Sequence, residues 1–412
     1  MRTVDQIDTT TRLDRYHLLP DPEPATVTHT LISVDDHFVE PPHTFEGRLP
    51  ARLQDDAPRV VPGPDGADYW LVEGRLEPNI GTNGVAGRPI EEWDIAPMRF
   101  DELREGTWSV EQRLRDMDLN GVHASLNFPS MVWGFAGQRF MRMRDRELGL
   151  ACTRAYNSWI IEDWTAAAPD RMIPCQIPWF HDPVLAAEEI RRNAELGFTS
   201  VSFSENPEAL GLPSIHTAHW DPFLRACEET GTVLNLHVGS SSQTPQPSSD
   251  SPMYTVLLLF QVNAMFSAAD WLFSGIPMRF PDLKIVLSEG GVGWVPSILD
   301  RLDHQHRYQD ETLLRDTWPH TDVSPAEVFL DRFWFTTFWD PTALSVLDRI
   351  GIDRVMFEVD YPHPDCTWPD AQERVRLQVG TMSERAVANY THSTAAELYR
   401  VPLPPGGWPG PA

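Results

Sequence analysis

Residues 354–365, RVMFEVDYPHPD, begin as a buried strand and end in charge. Four of the five residues from Val355 to Val359 are apolar, and Asp360 and His363 follow. A strand that buries both faces reads as a near-continuous apolar run. A carboxylate and an imidazole at its exit ask what the exits of other strands carry.

Seven further runs have the same character. They are 29–35 (HTLISVD), 121–128 (GVHASLNF), 171–178 (RMIPCQIP), 200–205 (SVSFSE), 232–238 (TVLNLHV), 284–291 (KIVLSEGG) and 332–339 (RFWFTTFW). Helical patterns separate most of them. The segment 109–121 sets Leu114, Met117 and Leu119 near one face and stops at Gly121. Segments 182–197 and 221–231 open with Asp-Pro and close with Gly, a start and a stop in the right order. Segments 295–309 and 340–351 follow the same style. Eightfold strand–helix alternation predicts an α/β fold, a TIM-type (β/α)8 barrel rather than an open doubly wound sheet. Residues 38–108 break the alternation. They are rich in Pro and Gly and contain GPDGADYWLVEGR, which reads as a hairpin. They are expected to form a long insertion after strand one that covers the barrel mouth. The expected organisation is an arm at 1–28, a barrel at 29–400 and a Pro/Gly-rich tail at 401–412.

Charge and composition exclude several classes. The 412 residues carry 60 acidic and 33 basic side chains, a formal net charge of −27. Such a surface repels nucleic acid and anionic membranes, so neither is expected as a partner. The first residues show no apolar core of signal-peptide length. Cys152, Cys175, Cys227 and Cys366 are far apart with no CxxC spacing, as for reduced thiols in a cytoplasmic protein. The run YTVLLLFQVNAMFSAADWLF, 254–273, is long enough to span a bilayer. Gln261, Asn263 and Asp270 interrupt it, so a helix buried in the domain or at a subunit contact is expected, and with it a homo-oligomer.

In such barrels chemistry sits at the C-terminal ends of the strands. Strand one exits through Asp35, Asp36, His37 and Glu40; strand five through His237; strand six through Glu289; strand eight through Asp360. Asp35 and His37 are two apart, hence on one face of a strand. Two imidazoles and up to three carboxylates converging without a cation would repel and shift one another's pKa values. A divalent metal resolves this, held by Asp35, His37, His237 and Asp360. Mixed N/O donors suit Zn, Mn or Fe. Lys284 is the only lysine and opens strand six, which excludes a carboxylated lysine on strand four as a bridge. A second metal would need Glu289 and His304. Phe128, Trp133, Trp294, Trp339 and Trp368 are candidates for a flat apolar slot that takes a planar, small-molecule substrate.

SVDDHFVEP, RLRDMDLNGVHASLNFPS, GWVPSILDRLD and FEVDYPHPDCTWPD together resemble the amidohydrolase superfamily. The closer resemblance is to the branch of 2-amino-3-carboxymuconate-6-semialdehyde decarboxylase and the resorcylate and 5-carboxyvanillate decarboxylases. It covers roughly residues 29–400. It implies a distorted barrel, one divalent metal at the strand ends, and decarboxylation, hydration or hydrolysis of small, often aromatic acids. Asp35 and His37 stand where the family has His-x-His or Glu-x-His, His237 at the strand-five ligand and Asp360 at the strand-eight ligand. Glu289 stands where many relatives carry a catalytic His. Asp35 and Glu289 thus make the site more anionic than the family pattern. The expected chemistry is a metal-dependent decarboxylase or hydrolase, with Asp360 or Glu289 moving a proton and His363 assisting. A non-haem mono- or diiron oxygenase is the first alternative. A non-catalytic partner to a related subunit is the second.

Overall fold

Each of the eight expected strand segments contains a strand, and the apolar runs that announced them are buried. The computed structural model describes residues 16–308, 316–320 and 322–411. The first 15 residues of the expected arm, the last residue of the expected 295–309 helix and Ala412 lie outside the described residues. The chain divides into two compact units. The first comprises residues up to Ile177 with Val359–Glu373 and the stretch from Leu403 onward; the second comprises Pro178–Glu358 and Arg374–Pro402.

In the first unit, β1 (Ile32–His37) is buried at all six positions. The expected insertion follows and contains its own antiparallel sheet of β2 (Arg59–Pro62), β3 (Asp68–Val72) and β4 (Arg75–Pro78). The expected hairpin is therefore one strand larger. Its tight turn runs through Glu73 and Gly74, both at positive φ (48° and 78°), the two-residue geometry that matches strand twist. β5 (Ala124–Phe128) pairs parallel with β1 and with β6 (Met172–Ile173). The third expected run is split into β6 and β7 (Cys175–Gln176) at Pro174, which has no N–H to offer a ladder.

Helix Val110–Asn120 ends as expected, at Gly121 in the left-handed region (φ 70°). The buried face differs from the expectation. Leu114 and Leu119 are only half-buried, whereas Arg113, Asp116, Met117 and Asn120 are buried, a mainly polar stripe at helical spacing. Its partners explain this and are described below.

The second unit is built on β8 (Ser200–Ser204), β9 (Val233–His237), β10 (Ile285–Ser288), β11 (Phe333–Thr337) and β12 (Val355–Phe357). They pair in chain order and all in parallel. Helices Pro183–Glu195, Asp221–Thr230, Val295–Tyr308 and Pro325–Arg332 alternate with them. Asp182 caps its helix by accepting from the N–H groups of Val184 and Leu185. The expected helix at 340–351 forms as two short pieces, Pro341–Leu344 and Leu347–Ile350.

The apolar run at 254–273 also forms two helices, Met253–Leu258 and Phe260–Phe273. No helix among the described residues is long and apolar enough to cross a membrane. Of the two expected placements, burial within the domain does not hold for the whole run: Tyr254, Leu258 and Phe266 are 86%, 81% and 64% exposed. The break at Leu259 turns part of the run outward.

No disulfide joins the four cysteines, and Cys152, Cys175 and Cys227 are buried.

Candidate metal centre

The strand pairing of β1 sets the geometry. Ser33 lies opposite Ser125 and Asp36 opposite Asn127, so β1 spends three steps where β5 spends two. This is a β-bulge, which re-aims side chains. Ser33 and Asp36 would otherwise face opposite sides. Instead the Ser33 hydroxyl donates to Asp36 Oδ1 at 3.0 Å, and the Ser125 hydroxyl donates to Asp36 Oδ2. The backbone N–H of Tyr361 also donates to Asp36, at 3.0 Å. Asp36 thus faces a polar bed, and Asp35 and His37 share the other side.

The stretch after β12 lies along β1. The N–H of Asp360 donates to the Asp35 carbonyl (2.8 Å), and the N–H of His37 donates to the Tyr361 carbonyl (2.6 Å). These bonds bring four fully or nearly fully buried side chains together. His37 Nε2 lies 3.4 Å from Asp35 Oδ1 and 3.4 Å from Asp360 Oδ1. His363 Nδ1 lies 3.2 Å from Asp360 Oδ1, and the two imidazoles stack with centroids 3.9 Å apart. One donor atom each from His37, Asp360 and His363 falls within a 4.8 Å span.

His37 Nδ1 is 3.2 Å from the Pro129 carbonyl. A carbonyl only accepts, so Nδ1 carries the proton and the Nε2 lone pair faces the carboxylates. Bare, that arrangement is repulsive. With a cation it is the expected one, because donors about 2.1 Å from an ion sit roughly 3–3.5 Å from each other. The donors therefore fit a divalent metal.

In the second unit, His237 ends β9 and is fully buried. Its Nδ1 lies 2.7 Å from the Val238 carbonyl, which again leaves Nε2 as the outward donor. Glu289 Oε2 is 3.7 Å from that Nε2. Glu289 has φ 55°, and its N–H donates to Thr336 Oγ1 (3.0 Å) and Glu358 (3.3 Å). His304 is exposed on helix Val295–Tyr308 and is absent from the donor groupings that the described residues form. Glu205, which no motif announced, clamps the turn after β9: it accepts from the hydroxyls of Ser240 (2.5 Å) and Ser241 (2.6 Å). Together with Asn263, Phe266 and Asp270 it lines a cleft of about 280 Å³.

The aromatic candidates divide. Phe128 lies beside His37, with centroids 5.8 Å apart. Trp133 is 1% exposed and packed among Phe45, Trp70 and Phe140. Trp294 packs on Phe329 and Phe335; Trp368 lies on Tyr361 and under the Arg104 guanidinium; Trp339 is 41% exposed. None of the five lines the cleft at Glu205. Phe135, not singled out in the sequence, contacts both His37 (5.0 Å) and His363 (6.0 Å). Trp133→Ala is expected to cost about 3–5 kcal/mol of stability, as for a buried Trp, with KM of the folded fraction unchanged. Urea titration beside steady-state kinetics checks this.

Behind the donors, Arg113 is fully buried. It donates to the carbonyls of Gly106 (2.8 Å) and His37 and to the side chain of Asn127, and lies 4.3 Å over the Tyr361 ring. The Tyr361 hydroxyl donates to Asp116 (2.6 Å), which also receives Arg104 through two bonds (2.8 and 2.6 Å). This is why the buried face of helix Val110–Asn120 is polar.

Burial pushes the carboxyls of Asp36 and Glu40 up to about 7. Groups protonated more readily when folded stabilise fully below their unfolded pKa of about 4, and that stability is lost as pH rises through 7. The metal-free protein is thus expected to lose stability from pH 5 to 7.5, with a flatter slope in Glu40→Gln, measured by urea midpoints.

A parallel α/β fold with buried His and Asp side chains at its strand ends, able to hold a metal ion, is the pattern of the amidohydrolase class. Residues 93–401 match the amidohydrolase family model, and the chain belongs to that family. It is 28% identical over 306 residues to the gamma-resorcylate decarboxylase of Rhodococcus jostii (strain RHA1), covering 67% of this chain and 89% of that one. The structure of an amidohydrolase from Mycobacterium avium subsp. paratuberculosis K-10 superposes with TM-score 0.67 at 20% identity, covering 90% of this chain and 100% of the other. A dihydroxybenzoic acid decarboxylase from Polaromonas sp. JS666, solved with manganese and the inhibitor 2-nitroresorcinol, gives TM-score 0.58 at 18% identity, over 90% and 97%. These structural likenesses show the fold, that of the amidohydrolase barrels.

Proposed function

We propose that this protein is a metal-dependent decarboxylase of a small hydroxylated aromatic carboxylic acid. The observation that carries the reading is the buried set of Asp35, His37, Asp360 and His363, with the His37 tautomer fixed by a backbone carbonyl. The curated relative quoted above supports the reaction type. The reading takes one divalent cation per chain, with manganese favoured over zinc or iron by the Polaromonas structure. His237, fully buried at the end of β9, is kept in the reading as a further ligand. Glu289 and His304 are not assigned a second metal.

When bound, the cation supplies positive charge to an acid group and its neighbouring hydroxyl. The residues of the chain do the rest. Asp360 takes a proton from the acid or hydroxyl group of the substrate and delivers it to the ring carbon as the bond to the carboxylate carbon breaks. The electron pair of that bond becomes the new C–H bond, and CO2 leaves. His363 Nδ1, 3.2 Å from Asp360, holds that carboxyl in place. Phe128 and Phe135 keep water from the His37 face.

The test is CO2 release from carboxyl-labelled dihydroxybenzoic acids, with deuterium entering the vacated ring position in heavy water. Chelation is expected to abolish turnover and added Mn2+ to restore it. Turnover that survives chelation, or that consumes O2, contradicts the reading. The exposed Tyr254, Leu258 and Phe266 support a homo-oligomer as part of this reading, checked by light scattering.

A further inference from the structure

Glu40 lies three residues beyond His37 and is fully buried. Its carboxyl is held by Ser130. The Ser130 N–H donates to Oε1 at 3.0 Å and the Ser130 hydroxyl donates to Oε2 at 2.6 Å. Ser130 is 1% exposed, and its hydroxyl oxygen also accepts the Val132 N–H at 3.3 Å. Both donors of one residue therefore end on one carboxyl.

The residue before Ser130 is Pro129, whose carbonyl takes the Nδ1 proton of His37 at 3.2 Å. Proline has no N–H, so it cannot be pinned through a backbone donor of its own. The β1–β5 ladder ends one residue earlier, with His37 opposite Phe128. The orientation of the Pro129 carbonyl is thus set by what holds its two neighbours. Phe128 is held by the ladder and Ser130 by Glu40. The four-residue span from His37 to Glu40 makes a closed clasp around Pro129, with an imidazole at one end and a carboxyl at the other.

We infer that Glu40 is a positioning residue for the metal centre: by fixing Ser130 it aims the Pro129 carbonyl at His37 Nδ1 and so keeps the ring proton off Nε2, the nitrogen that would bind the metal. The inference rests on the reading of His37 as a ligand. Without the clasp the carbonyl swings away. The proton can then move to Nε2, where two carboxylate oxygens at 3.4 Å would accept it. That tautomer cannot bind a metal through Nε2. Loss of an outer partner of a metal-bound His typically weakens metal binding by about 10–100-fold.

Glu40→Gln preserves the clasp, because its amide oxygen accepts the Ser130 N–H and its amide group donates to the Ser130 oxygen. Glu40→Ala removes both bonds, and Ser130→Ala removes one. The experiment measures Mn2+ affinity by competition with a chelator in the full-length protein, and records ring 15N spectra of histidine-labelled, metal-free protein. The His37 resonances are assigned by their absence in His37→Gln. Expected are a weakening of about 10–100-fold in Glu40→Ala, a smaller loss in Ser130→Ala and affinity within about threefold of wild type in Glu40→Gln. The His37 spectrum should move from the Nδ1–H form toward the Nε2–H form in the same order. Wild-type affinity and an unchanged His37 tautomer in Glu40→Ala overturn the inference. If Glu40→Ala does not fold, the same outcome in Ser130→Ala overturns it. Wild-type affinity in His37→Gln instead overturns the ligand reading beneath it, which keeps the two failures apart.

Discussion

Asp360→Asn is expected to stabilise the metal-free protein while abolishing turnover. Asp35 and Asp360 each place an oxygen 3.4 Å from the same imidazole nitrogen, and both side chains are fully buried. Removing one charge relieves that crowding, by roughly 1–3 kcal/mol. Asp360 also has φ 60°, a conformation that Asn adopts at least as readily as Asp. The neutral amide is a poor cation ligand and cannot hold the transferable proton. The rate should fall about 10³-fold or more, and the stabilisation that metal gives the wild type should vanish. Thermal melts with and without Mn2+, beside CO2 release, read both signs at once. A variant that is both less stable without metal and still active would mean that Asp360 is a structural turn residue.

The second large effect falls on stability. Arg113→Met should cost about 3–5 kcal/mol, measured by urea denaturation of the metal-free protein. The loss strands the carbonyls of Gly106 and His37 and the side chain of Asn127, all of which now accept from the guanidinium. It also leaves Asp36 without its nearby compensating positive charge. Arg113→Lys keeps the charge but not the planar fork, so it should recover only part of the loss. Because one arm of Arg113 ends on the His37 carbonyl, metal affinity should fall as well. A loss below about 1 kcal/mol would show the network to be ornamental to the fold.

The strands and the candidate donors at their ends were legible for a physical reason. Strands buried on both faces must be apolar throughout, so Asp35, His37, His237 and Asp360 stand out where those runs end. The bulge in β1 was not legible, because a bulge is a property of two strands in register and Ser125 and Asn127 come some ninety residues later. Asp35 and His37 do share a side, yet Asp36 reaches its polar bed only through that bulge. Arg113 was not singled out, because a charged residue on a helix carries no local sign of burial. Its acceptors are supplied by β1, β5 and the Gly106 turn, none of which a local pattern can see. Trp133 and Phe135 illustrate the same limit. Composition marks both as aromatic, but only packing separates Trp133, set among Phe45, Trp70 and Phe140, from Phe135, set against two imidazoles. The apolar run at 254–273 left its two placements open, since apolar sequence does not by itself say which turns face outward.

The account rests on a cation held by the His37 and Asp360 side chains. The most direct measurement is anomalous X-ray diffraction from crystals of catalytically active protein, recorded on both sides of the manganese edge. The account predicts a single strong peak per chain at about 2.0–2.3 Å from His37 Nε2 and from an Asp360 carboxylate oxygen. Active crystals with no peak there, or with their metal bound elsewhere, would contradict it.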